Sequence, residues 1–268
     1  MASPQNAAPG IFSWGRYRIP PDDPLQIQVG PLAVFVKKEG DEIWVAHHGI
    51  ETEGAIPKVS DPGLRWERWG ASESLDEIEI LPTFPDRPLV LHPENPFHLL
   101  PGAKARIYVR APLWIRLQVP GRQGGELAEI PTLPLSDTWW GGPEDGELAY
   151  WLHIRARREA PQEIFLPDRI ICPLALVNRA EEDLPVEKIL LRARHLSVFK
   201  GPGSLWSDEI RIRYRGEEEG SELEMMGKAP PEAPGAPRLT PPRTPLAKGF
   251  TARTFARLKA LPGFGKSF

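Results

Sequence analysis

Residues 170–226 read IICPLALVNRAEEDLPVEKILLRARHLSVFKGPGSLWSDEIRIRYRGEEEGSELEMM. Short apolar runs alternate here with polar, glycine or proline breaks, which is a pattern typical of successive β-strands. Near the end of this stretch apolar side chains alternate with arginines: Ile210, Ile212 and Tyr214 with Arg211, Arg213 and Arg215. Because successive side chains of a strand point to opposite faces, this period of two predicts a strand with one buried face.

The composition favours the same fold class. The 268 residues include 32 prolines and 24 glycines, and 41% of the residues are hydrophobic. Frequent proline and glycine disfavour long helices and suit many short strands joined by turns. We therefore predict an all-β protein, an antiparallel β-sandwich with either one large lobe or two adjoining lobes.

A second alternating pattern lies upstream, in KARIYVRAPLWIRLQV over residues 104–119. Apolar side chains occupy every second position on each side of Ala111 and Pro112. This pattern predicts two half-buried strands that pair antiparallel with each other across the break.

Changes in composition divide the chain into five parts. Proline-marked IEILPTFPDRP suggests a boundary near residue 85, and seven prolines after residue 226 predict an extended spacer, because proline lacks the amide that a sheet needs. We predict a disordered N-terminus, an N-terminal β region, a β-sandwich domain, a Pro-rich spacer and a short basic amphipathic helix over residues 1–10, 11–85, 86–226, 227–245 and 246–262.

The charge of the C-terminal segment differs from that of the rest. Residues 241–268 hold six basic residues and no acidic one, which leaves 27 basic against 36 acidic residues in residues 1–240. Nucleic-acid binding needs a concentrated basic face on the body of the protein, so we predict no nucleic-acid partner.

The predicted C-terminal helix could contact a partner. Two interpretations stay open: its apolar stripe docks to another molecule, or it folds back over a sheet edge of the same chain. The candidate docking residues are Phe250, Arg253, Arg257, Leu258 and Leu261.

The single cysteine, Cys172, excludes an intrachain disulfide and lies within the apolar run IICPLALV. A buried, unreactive thiol is the expected state. The N-terminal residues show no signal-peptide pattern, and no apolar run approaches the length of a membrane span. These features predict a cytoplasmic protein.

Catalytic and cofactor motifs do not stand out. The sequence contains no GxSxG nucleophile motif, no phosphate-binding loop and no GxGxxG. His92, Glu94 and His98 in HPENPFH are a weak metal-site pattern, which a polar hairpin apex would match equally well. We predict no catalytic residues, no metal and no cofactor, and the question of enzymatic activity stays open with a preference against it.

Two arginine rows could form a basic stripe, one of them at Arg192 and Arg194 and the other at Arg211, Arg213 and Arg215. The acidic run that begins at Glu217 offers an alternative, because a neighbouring strand could neutralise the arginines through cross-strand pairs. We favour neutralisation.

The nine tryptophans suggest a stacking surface for a ligand. Trp139 and Trp140, in the loop-like SDTWWGG, are the best candidates for exposed rings, and Asp137 precedes them. We predict Asp137, Trp139 and Trp140 as ligand-binding residues.

A family resemblance rests on three stretches: SDTWWGGPEDGELAYWLHIRAR, the segment quoted at the start, and KAPPEAP. In this order they resemble the uncharacterised bacterial and archaeal family catalogued as domain of unknown function 432, over roughly residues 87–230, with WGRYRI near the start of the chain as a fainter match. The resemblance implies a strand-rich protein with no assigned activity and transfers no functional residue.

The leading hypothesis is a non-enzymatic protein-binding or scaffold module that uses its C-terminal segment to dock. Its partner is expected to be a protein, with membrane-associated proteins among the candidates. The alternative is a small-ligand or carbohydrate-binding module, with enzymatic activity left open, that uses the Trp139 and Trp140 loop.

Overall fold

The computed structural model describes residues 13–49, 63–70, 75–122, 125–154, 166–245, 250–252 and 254–256. Within these ranges the chain forms 23 strands, one 3-10 turn at Ala193–His195 and no α-helix. The predicted all-β class is therefore confirmed.

The strands are short. The first twelve in chain order are β1 (Gly15–Arg18), β2 (Leu25–Val29), β3 (Leu32–Glu39), β4 (Glu42–Gly49), β5 (Trp66–Gly70), β6 (Glu77–Thr83), β7 (Leu89–Pro93), β8 (Phe97–Leu99), β9 (Lys104–Pro112), β10 (Trp114–Gln118), β11 (Glu126–Pro131) and β12 (Ser136–Trp140). The others are β13 (Glu147–Ile154), β14 (Arg169–Asn178), β15 (Leu184–Val186), β16 (Lys188–Leu191), β17 (Val198–Gly201), β18 (Ser204–Ser207), β19 (Ile210–Tyr214), β20 (Ser221–Met225), β21 (Arg238–Thr240), β22 (Thr251–Ala252) and β23 (Phe255–Ala256).

The strands form five sheets. Two four-stranded sheets have the orders β1-β6-β10-β11 and β2-β3-β4-β5, and β8 and β15 form a two-stranded sheet. A five-stranded sheet has the order β12-β13-β7-β16-β23. The largest sheet runs β21-β17-β18-β14-β19-β20-β22, with β9 also paired to β14. The sheet that contains β1 and β6 also contains β10 and β11, so it combines strands from both sides of the boundary predicted near residue 85.

Most strand pairs are antiparallel, as predicted. Three are parallel: β13 with β7, β14 with β18 and β14 with β19. Parallel neighbours need a crossover connection, because a two-residue turn can join only antiparallel strands. The alternation of apolar and polar residues is the same in parallel and antiparallel strands, so it could not predict these three parallel pairs.

The predicted pairing of the two strands in residues 104–119 is wrong. β9 pairs with β14 over nine residue pairs, whereas β10 lies in another sheet between β6 and β11. The chain passes from one sheet to the other around Pro112 and Leu113, where the backbone amide of Leu113 donates a hydrogen bond to the carbonyl of Asp168 (3.2 Å). Proline lacks an amide donor and suits such a change of sheet.

One hydrophobic core joins these sheets. Its central side chains are fully buried and come from β6, β7, β9, β10 and β14: Ile80, Leu91, Val109, Ile115 and Leu174. In β6 and β10 the buried residues alternate with partly exposed ones, as a period of two requires, whereas β7 and most of β14 are buried on both faces. Burial of each such aliphatic side chain contributes about 1.5–3 kcal/mol.

Residues 227–245 are not the free spacer predicted from their prolines. They fold back onto the sheets: β21 pairs with β17, and the Lys200 amide donates a hydrogen bond to the Pro237 carbonyl (2.9 Å). Ala233 is buried, and the Thr240 hydroxyl donates a hydrogen bond to the Pro82 carbonyl (2.5 Å). Arg243 donates to the Phe84 carbonyl (2.7 Å).

An ion-pair cluster holds this segment in place. The Arg106 guanidinium lies 2.5 Å from a Glu209 carboxylate oxygen and 2.8 Å from one of Glu232. The Tyr108 hydroxyl donates a 2.5 Å hydrogen bond to the same Glu232 oxygen. Burial opposes ionisation of Glu209, but hydrogen bonds from Arg106 and Arg211 outweigh it and lower its pKa. Through Arg106 and Tyr108, Glu232 therefore connects residues 227–245 to β9.

The helix predicted over residues 246–262 is not found at the positions that the structure describes. Thr251–Ala252 pairs with β20, and Phe255–Ala256 pairs with β16, so both dipeptides are short strands. Threonine and phenylalanine favour strands, and each sheet edge offers backbone partners. The other positions of the predicted helix lie outside the described residues.

Among the described residues, no helix has the length and apolar character needed to cross a membrane.

Candidate functional site

The hairpin formed by β12 and β13 lies at one edge of the five-stranded sheet. Its register places Trp139 opposite Leu148 and Asp137 opposite Tyr150. Paired residues of an antiparallel hairpin point to the same face, and so do alternate residues of one strand. Asp137, Trp139, Leu148 and Tyr150 therefore share one face, which we call the hairpin patch.

The two tryptophans predicted to bind a ligand point to opposite faces. The Trp140 side chain is buried in a small cluster with Val90, Ala149 and Leu190. Trp139 has 53% of its surface exposed, and its neighbour Leu148 has 42% exposed. The structure thus brings Asp137 and Trp139 together on the hairpin patch and places Trp140 on the other side of the sheet.

The turn between the two strands fixes the Trp139 ring. Its indole N–H donates a 2.9 Å hydrogen bond to the Gly142 carbonyl, and the Gly142 amide donates to the Asp145 carboxylate (3.0 Å). A Cβ atom on Gly146 would lie only 2.2 Å from the indole nitrogen. Glycine at 146 is therefore required for the ring to occupy this position, and the turn presents an aromatic surface in one orientation.

Polar groups border the hairpin patch. Arg87 forms a 2.8 Å ion pair with Asp137, and its guanidinium lies 5.3 Å from the centre of the Tyr150 ring. The Tyr150 hydroxyl donates a 2.9 Å hydrogen bond to Asp86. Burial and this hydrogen bond raise the pKa of Tyr150 to about 12, so the phenol keeps its proton at neutral pH. A ligand on the patch would meet an apolar surface beside donors and acceptors held in place.

Sequence reasoning missed four of these residues: Asp86, Arg87, Leu148 and Tyr150. The alternation in residues 147–154 indicates that Leu148 and Tyr150 share a face. Asp86 and Arg87, in contrast, contact residues that are distant in the chain. Asp86 accepts a hydrogen bond from Tyr150, which is 64 residues away, and Arg87 donates one to Asp137, which is 50 residues away. No local pattern carries that information.

The arginine row of β19 is neutralised, as we favoured from the sequence. β20 pairs antiparallel with β19 and places Glu224 opposite Arg211 and Glu222 opposite Arg213. Arg213 lies 3.2 Å from Glu222, and Arg215 lies 2.8 Å from the same side chain. The first row does not lie on a strand: Arg192 follows β16 and forms a 2.8 Å ion pair with Glu147, and Arg194 lies in the 3-10 turn.

Cys172 is fully buried, as predicted. Burial raises the pKa of its thiol to about 12, so the reactive thiolate does not form near neutral pH.

His92, Glu94 and His98 do not form a metal site. Among the described residues, no three or more His, Cys, Asp or Glu side chains are arranged to hold a metal ion. His92 is buried instead, with its ring centre 3.5 Å from that of Trp151 and 5.7 Å from that of His153. Its Nε2 atom has no hydrogen-bond partner in the described part of the chain. Burial, helped by the positive charge of Lys188 in the adjacent strand, lowers the pKa of His92 to about 4.

The buried His92 predicts acid sensitivity. The folded protein binds a proton here less readily than the unfolded chain, so the stability should fall as the pH drops from 6.5 towards 4. His92→Gln should remove about 2–3 kcal/mol of that pH dependence. Urea unfolding between pH 7 and pH 4 measures it. Val90→Ala, on the same strand face, is the control and should lower stability equally at every pH; an unchanged pH dependence in His92→Gln would refute the role of His92.

The proposed docking residues of the tail are only partly described. Phe250 packs in the same chain, with the Arg192 guanidinium 5.2 Å from its ring centre and the His195 ring 6.4 Å away. Together with β22 and β23, this contact agrees with the fold-back interpretation of the tail. The remaining docking candidates, Arg253, Arg257, Leu258 and Leu261, lie outside the described residues, and their role stays a prediction.

Comparison with known proteins gives a family. No curated protein and no solved structure matches the chain. The family described as "Protein of unknown function (DUF432)" matches residues 13–259. That match extends well beyond the roughly 87–230 region in which the sequence resembles the family, and it includes β1 to β5 and the folded-back segment. The chain belongs to the DUF432 family.

Proposed function

We propose that this protein is a non-enzymatic binding module whose recognition surface is the hairpin patch. The observation that carries the proposal is Trp139, a large aromatic side chain that is half exposed and yet held in one orientation by its turn. Tryptophan is among the residues that most often dominate the free energy of binding.

The fixed ring also favours affinity. A side chain that is already ordered loses little conformational entropy when a ligand covers it. Leu148 extends the apolar surface, and the Arg87–Asp137 pair lies at its border, which matches the arrangement of an apolar anchor with a polar rim. These features support binding and require no chemical step.

The proposal also covers how the sheets pack and the compartment in which the protein acts. The sheets pack as the predicted β-sandwich, supported by the one core that joins β6, β7, β9, β10 and β14. The protein acts in the cytoplasm, supported by a sequence with a single cysteine, because a chain that cannot form internal disulfides does not rely on an oxidising compartment.

Photo-crosslinking tests the recognition surface. Benzoylphenylalanine in place of Leu148 should form a crosslinked product when the full-length protein is irradiated in native extract. Protease and glycosidase digestion then reports whether the attached molecule is protein or glycan. Adding Trp139→Ala to the protein that carries benzoylphenylalanine at position 148 should remove the product, because the aromatic ring that binds the ligand is lost.

Leu100 provides the matched control, because it is 61% exposed but lies outside the hairpin. Benzoylphenylalanine at 100 should not give the product seen at 148. The same product from both positions, or a product at 148 that survives Trp139→Ala, would contradict a specific surface on the hairpin.

A further inference from the structure

We infer that the ligand of the hairpin patch is a neutral oligosaccharide, bound with one sugar ring stacked on Trp139. This inference rests on the proposed function and specifies the class of ligand. Three properties of the patch carry it: its area, the polar groups beside the ring, and its charge.

The apolar area suits a sugar better than a protein. Trp139 is 53% exposed and Leu148 42%, so together they offer on the order of 200 Å². A stable protein interface buries about 800 Å² on each partner. The flat carbon face of a sugar ring is comparable in size with an indole, and an open platform leaves room for the neighbouring units of an oligosaccharide.

The polar groups match a ligand rich in hydroxyls. The indole N–H is already bonded to Gly142, so Trp139 offers only its ring to the ligand. Arg87 and Asp137 are paired with each other, and Tyr150 with Asp86, at distances of 2.8 and 2.9 Å. Each carboxylate has lone pairs left to accept a hydrogen bond from a hydroxyl, and the guanidinium has further N–H groups to donate.

The charge favours a neutral ligand. Asp137 in the patch and Asp86 beside it carry two negative charges, and Arg87 supplies one positive charge that is paired with both, at 2.8 and 4.0 Å. A sulfated or uronic-acid chain would meet net negative charge, whereas the hydroxyls of a neutral sugar can use acceptors and donors together. The open surface predicts weak binding, with a Kd on the order of 0.1–1 mM.

A glycan array followed by calorimetric titration tests the inference with the full-length protein. The array should carry neutral and anionic oligosaccharides, with cellohexaose and maltohexaose among the neutral ones. We expect retention on at least one neutral glycan, a loss of affinity of about tenfold or more in Trp139→Ala, and partial retention in Trp139→Phe. Leu100→Ala should bind as the unmodified protein does.

Three results would overturn the sugar class: no neutral glycan retained above the level of Trp139→Ala, tighter binding of anionic glycans, or equal losses in Trp139→Ala and Leu100→Ala. These failures are distinct from failure of the proposed function. If the array is blank while Leu148 still gives its Trp139-dependent crosslink, the surface is a recognition site for another class of ligand.

Discussion

Replacing Arg106 with methionine should lower the free energy of unfolding by about 2–3 kcal/mol. The change removes the cation that joins Glu209 to Glu232 and leaves the Glu232 carboxylate, only 16% exposed, with the Tyr108 hydroxyl. Uncompensated charge in a partly buried site is costly, although one third of the Arg106 side chain is exposed and water will reduce the loss. Urea unfolding measures the change.

Arg16→Met is the matched control, because Arg16 forms a 3.5 Å pair with Glu79 and its side chain is 56% exposed. It should cost less than about 1 kcal/mol. Hydrogen exchange supplies a second measurement, since Arg106→Met should speed amide exchange across residues 227–245. Equal losses in the two variants would show that the Arg106 cluster does not hold this segment.

Replacing Gly146 with alanine should both lower the free energy of unfolding by about 2 kcal/mol and weaken ligand binding. The new methyl group would lie 2.2 Å from the Trp139 indole nitrogen and 2.5 Å from the Gly142 carbonyl oxygen, so the ring and the turn cannot keep their positions. Thermal unfolding and the crosslinking yield from position 148 measure the two effects.

Gly49→Ala controls for the substitution itself, because nothing lies within 4 Å of a Cβ atom at position 49. It should change stability by less than about 0.5 kcal/mol. If Gly146→Ala folds and crosslinks like Gly49→Ala, the turn does not determine the orientation of Trp139.

The local pattern predicted strand identity and burial well. In β19, Ile210, Ile212 and Tyr214 are buried and the arginines between them are not, which is what a period of two requires. The acidic residues that follow neutralise the arginines through the adjacent strand. These features depend on neighbours a few residues apart, so the sequence contains them directly.

The choice of strand partners could not be predicted in the same way. β9 and β10 are adjacent in the chain but belong to different sheets, and β7 pairs in parallel with β13, although residues 94–146 lie between the two strands. The same limit applies to the candidate site. Asp137 and Trp139 were recognised by residue type, whereas Trp140 is buried because its face of the sheet packs against Val90, which lies on β7.

The tail shows how tertiary contacts override local preference. Its apolar spacing fits a helical wheel, but Thr251 and Phe255 lie in strands beside the edges of two separate sheets. Prolines in residues 227–245 likewise suggested a spacer, but Arg238–Thr240, which lies between two of them, pairs with β17. Edge strands that offer backbone partners cannot be seen in the local sequence.

The most direct measurement of the central claim is the indole N–H spectrum of the protein labelled with ¹⁵N-tryptophan and placed in unlabelled native extract. Nine indole signals are expected, and single Trp→Phe variants assign those of Trp139 and Trp140. The Trp139 signal should shift or broaden when extract is added, while the signal of buried Trp140 changes less. An unchanged Trp139 signal in extract that shifts other tryptophans would contradict the hairpin patch as the recognition surface.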